Sequence, residues 1–177
     1  MYTRQIEDWA VRHRLSEQAY RELLHIVLPP APDVSDNPER HETAIQTGIR
    51  LDASKQNNML LRNNNGVAIA EDGRHVRYGL GNDSKKLNEN WKSSDLIGIT
   101  QVRASYVGQI FGVFTAVEAK AGSWRWTGKG REVAQSNFLR TVNCLGGIGL
   151  FANSLEYYRG VINGKTCLLY TSPSPRD

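Results

Sequence analysis

The order of patterns along the chain predicts a mixed α/β domain, with helices packed on a central sheet. Three observations carry this. Apolar residues recur at helical spacing over 39–55 and again over 131–145; apolar, β-branched runs fill 96–100, 110–119 and 148–152; and clusters of Asn, Asp and Gly punctuate the short runs between. This order suits neither a helical bundle nor a pure β-barrel, and no internal repeat is present.

Residues 4–28 read as two short helices, a hairpin at 1–28. Ile6, Trp9, Ala10 and His13 share one face of the first; Ser16 is the N-cap of the second, with Tyr20, Leu23, Leu24 and Val27 behind it. Two such helices serve either as a packing appendage or as a DNA-reading helix-turn-helix. Pro29, Pro30 and Pro32 end the hairpin and 29–37 is a linker. In the helix over 39–55 the apolar stripe is Ala44, Ile45, Ile49 and Ala53. A short strand over 59–61 meets the turn Asn63-Asn64-Asn65-Gly66, and runs at 67–70 and 75–78 flank Glu71-Asp72-Gly73 as a hairpin. Residues 79–91 are polar and loop-like. Over 131–145 the inward face is Ala134, Phe138, Val142 and Leu145, with Gly146-Gly147 ending the helix.

Composition bounds the function classes. At 177 residues, 40% hydrophobic and 23% charged, the chain has the size and make-up of one globular domain, here 38–166. Mean hydropathy is −0.48. No apolar run reaches the ~18–20 residues of a membrane span; the best, 107–117, is interrupted by Gln109. Glu7, Asp8 and Trp9 stand where a signal peptide needs an apolar stretch. The two cysteines, Cys144 and Cys167, make neither a disulfide framework nor a four-thiolate zinc site, which points to a reducing, cytoplasmic setting. A net charge of +4 fits a nucleic-acid partner without requiring one. Residues 167–177 follow no periodic pattern, and their codons, written out in one frame, resemble a transposase-type sequencing adapter. They are expected to be non-native, the native C-terminus being missing.

Several chemistries fail on spacing. Gly160-Val161-Ile162-Asn163-Gly164-Lys165-Thr166 has three residues between its glycines where a phosphate loop needs four. His41-Glu42 begins like a zinc-protease helix, but Ile45 and Gln46 follow where the second histidine is required. His13, His25, His41 and His75 are scattered, and Ser93-Ser94 lacks the glycines of a nucleophile elbow.

One constellation survives. In a strand, residues i and i+2 share a face, so Glu118 and Lys120 emerge side by side. Asp95 opens the preceding strand, and pairing of the two strands sets its carboxylate beside Glu118. Two close carboxylates repel and need a shared proton or a cation. A hard divalent ion, most simply magnesium, suits oxygen ligands and leaves positions for a phosphate oxygen and water. Lys120 could then orient or deprotonate the attacking water or steady charge on the phosphate. Asp83-Ser84-Lys85 repeats the spacing in a polar stretch and reads as a solvated turn. For Glu118-Ala119-Lys120 a bare strand end in solvent is the competing interpretation. Gln135 lies one turn from Arg131 at the start of the following helix, and both could reach the carboxylates; Glu42 and Gln46 share the same spacing earlier. Between strand and helix, Trp124, Arg125, Trp126, Lys129 and Arg131 mix aromatic faces with cations, which suits single-stranded or distorted nucleic acid. The two tryptophans could equally fold back as a local core plug.

At these residues the chain resembles the virus-type replication-repair nuclease (VRR-NUC) family, a branch of the PD-(D/E)XK nucleases. The matching stretches are His41-Glu42-Thr43-Ala44-Ile45-Gln46, Leu61-Arg62-Asn63-Asn64-Asn65-Gly66, Val76-Arg77-Tyr78-Gly79-Leu80, Ser93-Ser94-Asp95-Leu96-Ile97-Gly98, Val117-Glu118-Ala119-Lys120, Gln135 and Gly146-Gly147, in the family's order over roughly 40–155. Ser94-Asp95 stands where the family name has Pro-Asp. The resemblance implies a restriction-endonuclease-like core and metal-dependent hydrolysis of phosphodiesters. It makes Asp95 and Glu118 metal ligands assisted by the Ala119 carbonyl, Lys120 the catalytic lysine, Glu42 an outer acidic residue and Gln135 a supporting one. Arg62 joins Trp124, Trp126, Arg125, Lys129 and Arg131 as a nucleic-acid contact, although the tryptophan loop is less typical of the family. Residues 1–37 lie outside the match. Similar stand-alone domains occur in phage-like genomes and act on branched DNA, sometimes as dimers. The expectation is therefore a magnesium-dependent (alternatively manganese-dependent) endonuclease on branched or single-stranded DNA, a homodimer in some relatives, with no membrane partner. A non-catalytic DNA-binding module on the same fold is the alternative, and a P-loop hydrolase is set aside.

Overall fold

The computed structural model describes residues 8–16, 18–20, 23, 32, 37–103 and 109–168. Its main body runs α1 (Glu42–Lys55), β1 (Met59–Arg62), β2 (Gly66–Ile69), β3 (His75–Tyr78), α2 (Lys85–Asn90), β4 (Leu96–Arg103), β5 (Ile110–Ala119), α3 (Arg131–Cys144), β6 (Ile148–Ala152) and α4 (Leu155–Leu168). β1, β4, β5 and β6 form a mixed sheet in that order, antiparallel except for the β5–β6 pair; β2 and β3 form a separate antiparallel hairpin. Parallel pairing of β5 with β6 requires a crossover, which α3 supplies.

The sheet is covered by helices on both faces. Alternation along β4 sends Leu96, Gly98, Thr100 and Val102 inward while Ile99, Gln101 and Arg103 stay exposed. On the Leu96 face, Ile45, Ile49 and Ala53 of α1 and Tyr158 and Ile162 of α4 close one core over Val117, Ile148 and Leu150. On the other, Phe138, Leu139 and Val142 of α3 close a second over Ala116 and Phe151. Gly98 faces Leu60 across the β1–β4 ladder, and a Cβ there would stand 1.8 Å from the Met59 carbonyl oxygen. A backbone atom cannot move aside as a flexible side chain can, so Gly98→Ala is expected to cost about 3 kcal/mol. A lowered urea midpoint checks this; an unchanged midpoint would show that the ladder adapts.

Several expectations change. Residues 79–91 are not all loop: Ser84 Oγ accepts the Leu87 N–H at 3.1 Å and starts α2, so Asp83-Ser84-Lys85 is solvated as expected but caps a helix instead of making a turn. Leu145 does not face inward but is 83% exposed, because α3 ends at Cys144 and the chain leaves the helical repeat there. Gly146, at φ +84, then turns the chain, as the glycine pair implies. α1 begins at Glu42, and Ala44 lies off its buried stripe, which continues instead through Asp52. Residues 160–166 are inside α4, where no phosphate loop can form.

In the N-terminal stretch Ser16 Oγ accepts the Ala19 N–H at 3.1 Å, Ala10 is buried, and the Trp9 and His13 rings lie 4.6 Å apart. Ile6, Leu24 and Val27, most of the linker, and 169–177 are outside the described residues. Among the described residues no helix is long and apolar enough to cross a membrane.

Candidate active site

The antiparallel register that pairs Leu96 with Val117 makes Asp95 and Glu118 the next pair outward. The Asp95 N–H donates to Glu118 Oε2 at 3.2 Å, and the Ala119 N–H donates to Asp95 Oδ2 at 3.1 Å. Two residues on, Lys120 Nζ donates to Glu118 Oε1 at 2.8 Å and to Gln135 Oε1 at 3.1 Å, while Gln135 Nε2 donates to Glu118 Oε1. The Lys120 N–H bonds the Ala152 carbonyl at 2.9 Å, so β6 fixes the strand end from which the amine projects. Glu118 and Gln135 are each 1% exposed. The Glu118–Lys120 strand end is therefore roofed by α3 and is not bare in solvent.

Burial at this depth is hard on charge. It pushes the Glu118 carboxyl from an ordinary 4.5 up to about 7, with the Asp95 charge adding and Lys120 opposing. Asp95 is also raised, chiefly by burial, against the pull of Lys120, the Ala119 N–H, Arg131 and Lys92. Neither carboxylate is comfortable ionised without a further cation, which is the condition of a divalent-metal site. Among the described residues no three His, Cys, Asp or Glu side chains converge. A metal's oxygen ligands would be these two carboxylates and a backbone carbonyl. The Ala119 carbonyl fits, since N–H and C=O of one strand residue leave on the same side and its N–H points at Asp95.

The loop before β4 is pinned by residues the sequence marks only as a turn. Asn63 N–H donates to the Asp95 carbonyl at 2.7 Å, Asn63 Nδ2 to Ser93 Oγ and the Ser94 carbonyl at 3.0 and 2.9 Å, and Asn65 Nδ2 to Ser93 Oγ at 2.5 Å. Ser93 Oγ in turn donates to the Leu80 carbonyl. The Asn-rich turn and the buried serines thus hold Asp95 in place, and the Ser93 hydroxyl is engaged structurally.

Asp95 opens on a cleft of about 440 Å³, lined also by the expected site residues Glu42 and Arg62, with Thr43, Gln46, Asn64 and Tyr78. Glu42 and Arg62 therefore reach the cleft but not the Glu118–Lys120 cluster. Arg131 acts on both carboxylates through space. Lys92, which spacing did not single out, does the same; burial and the neighbouring Arg131 lower its own pKa. The signal for it was a lysine three residues before Asp95, too common a spacing to read. Arg125 and Lys129 lie on the exposed loop before α3. Trp124 folds back: its ring stacks on Phe151 at 5.1 Å and its indole N–H donates to Glu132 at 2.8 Å. Trp126 tilts on the same Phe151 at 5.7 Å and stays 42% exposed. The core-plug alternative thus describes Trp124, whose ring is already stacked, more fully than Trp126.

Compared with protein-family models, curated proteins and solved structures, the chain matches none.

Proposed function

We propose that the chain is a metal-dependent nuclease of the virus-type replication-repair kind, with a restriction-endonuclease-like core, hydrolysing DNA phosphodiesters in branched or otherwise structured DNA. The observation that carries the proposal is the half-buried Asp95 set beside the buried Glu118, with Lys120 bonded to Glu118. A pure DNA-binding module gains nothing from two carboxylates facing phosphates. Asp95, Glu118 and the Ala119 carbonyl would hold the ion. Magnesium or manganese, when bound, supplies Lewis-acid polarisation of a phosphodiester oxygen.

The chain's own groups do the rest. Gln135 accepts from Lys120 and donates to Glu118, so it sets the amine and carboxylate relative to each other. The Lys120 amine places a positive charge at the mouth of the pair, where it orients the attacking water and steadies the charge that builds on phosphorus. Arg131 and Lys92 draw the backbone in against the carboxylates' repulsion, with Arg125, Lys129 and Trp126 as outer contacts.

The test is the purified protein on a panel of labelled single strands, flaps, duplexes and four-way junctions. Cleavage of at least one structured substrate in magnesium, abolished by chelation and restored by manganese, is expected. Failure to cut any member in either metal would overturn the proposal, as would an Asp95→Ala protein that cuts as fast as the parent.

A further inference from the structure

The cleft beside Asp95 has a lining that suits a base. Beside the acidic Glu42 and Asp95, Gln46, Thr43 and Asn64 offer uncharged donors and acceptors. Gln46 is the telling residue. It is 9% exposed and lines the cleft, so the little of it that solvent reaches is reached from there. An amide matches the adjacent donor and acceptor that a nucleobase presents on its edge. Tyr78 adds an aromatic wall. Its ring lies across Gly66, where a Cβ would stand 2.3 Å from the hydroxyl oxygen, and half of the side chain remains open. Arg62 provides a cation in the same lining for the adjoining backbone.

We infer that this cleft is a subsite for one unpaired nucleobase next to the scissile phosphodiester, with Gln46 on the base edge and Tyr78 against its face. A paired base has that edge occupied by its partner, so the occupant is a nucleotide already free of a duplex or drawn out of one. This rests on the nuclease proposal and deepens it, by naming an unpaired residue as what the site requires of its DNA.

The experiment walks a single abasic site along labelled single-stranded and flapped oligonucleotides, measuring binding in chelator and cleavage in magnesium. One abasic position beside the cut is expected to weaken both about tenfold in the parent, the scale of losing one stacked base. Abasic sites farther away should do nothing. Gln46→Leu, of similar volume, should weaken the intact substrate and respond little to the abasic position. Should that variant fold poorly, Tyr78→Leu at the more exposed wall gives the same reading, and the abasic series in the parent needs no variant. Cleavage indifferent to every abasic position overturns the subsite and leaves the nuclease proposal standing. Base-dependent binding that Gln46→Leu abolishes, with no cleavage, supports the subsite and overturns the nuclease. Neither binding nor cleavage of any oligonucleotide overturns both.

Discussion

Lys120→Ala is expected to lower DNA cleavage by about 10²–10³-fold, the scale of removing one preorganised charge or donor from a reaction centre. Two effects act together. The amine proposed to face the reacting phosphate is gone, and so is the cation bonded to Glu118 Oε1 at 2.8 Å. Lys120 is one of the groups holding the Glu118 carboxyl down, and that carboxyl already sits at about 7. Without it Glu118 rises further and holds a proton at neutral pH, so affinity for a divalent ion falls as well. Single-turnover cleavage and calorimetric titration with manganese measure the two losses separately, and near-UV circular dichroism shows whether the fold is kept. A Lys120→Ala protein that cuts flaps and junctions at the parental rate would overturn the assignment.

Glu118→Gln should produce the opposite signs in stability and activity: a protein with no cleavage that is more stable than the parent at alkaline pH. Folding raises the Glu118 pKa from 4.5 to about 7. At pH below about 4.5 both states carry the proton and the burial has no pH-linked cost. Between 4.5 and about 7 the unfolded chain ionises while the folded one keeps its proton, so stability is lost as pH rises; above about 7 the full penalty is present. At about 1.4 kcal/mol per pH unit that penalty is about 3 kcal/mol. The glutamine oxygen still accepts from Lys120 and Gln135 without the charge, while its NH2 group gives up the bond from the Asp95 N–H, which offsets part of the gain. A gain of roughly 6–12 °C in thermal midpoint at pH 8 follows for a chain this size, shrinking towards nothing in acid. Magnesium should deliver part of the same gain to the parent at pH 8 and little to the variant. A variant no more stable than the parent at pH 8 would show that Glu118 is not strained when ionised.

Most elements were legible locally. β5 over 110–119 and β6 over 148–152 follow from runs of apolar and β-branched residues, and the end of α3 from Gly146-Gly147. What misled were features decided one residue at a time. Ser84 in a polar stretch looks the same whether it caps a helix or turns in solvent, and Leu145 continues a helical spacing that the backbone has already left. The cluster of Asp95, Glu118 and Lys120 was readable in part. That Glu118 and Lys120 share a face needs only the two-residue period of a strand. That Asp95 meets Glu118 needs only the two strands to pair in one register.

By itself the sequence determined the α/β order, the strand and helix faces, and which acidic and basic residues could meet, because these depend on spacings of two to four residues. Only the tertiary structure decided that α3 roofs Glu118 and brings Gln135 onto it, that Asn63 and Asn65 are bound to Ser93, and that Gln46 and Tyr78 wall a cleft against Asp95. Those contacts join segments far apart in the chain. They arise when helices cover the sheet to bury its apolar faces, and no local pattern records which polar side chains that packing traps together.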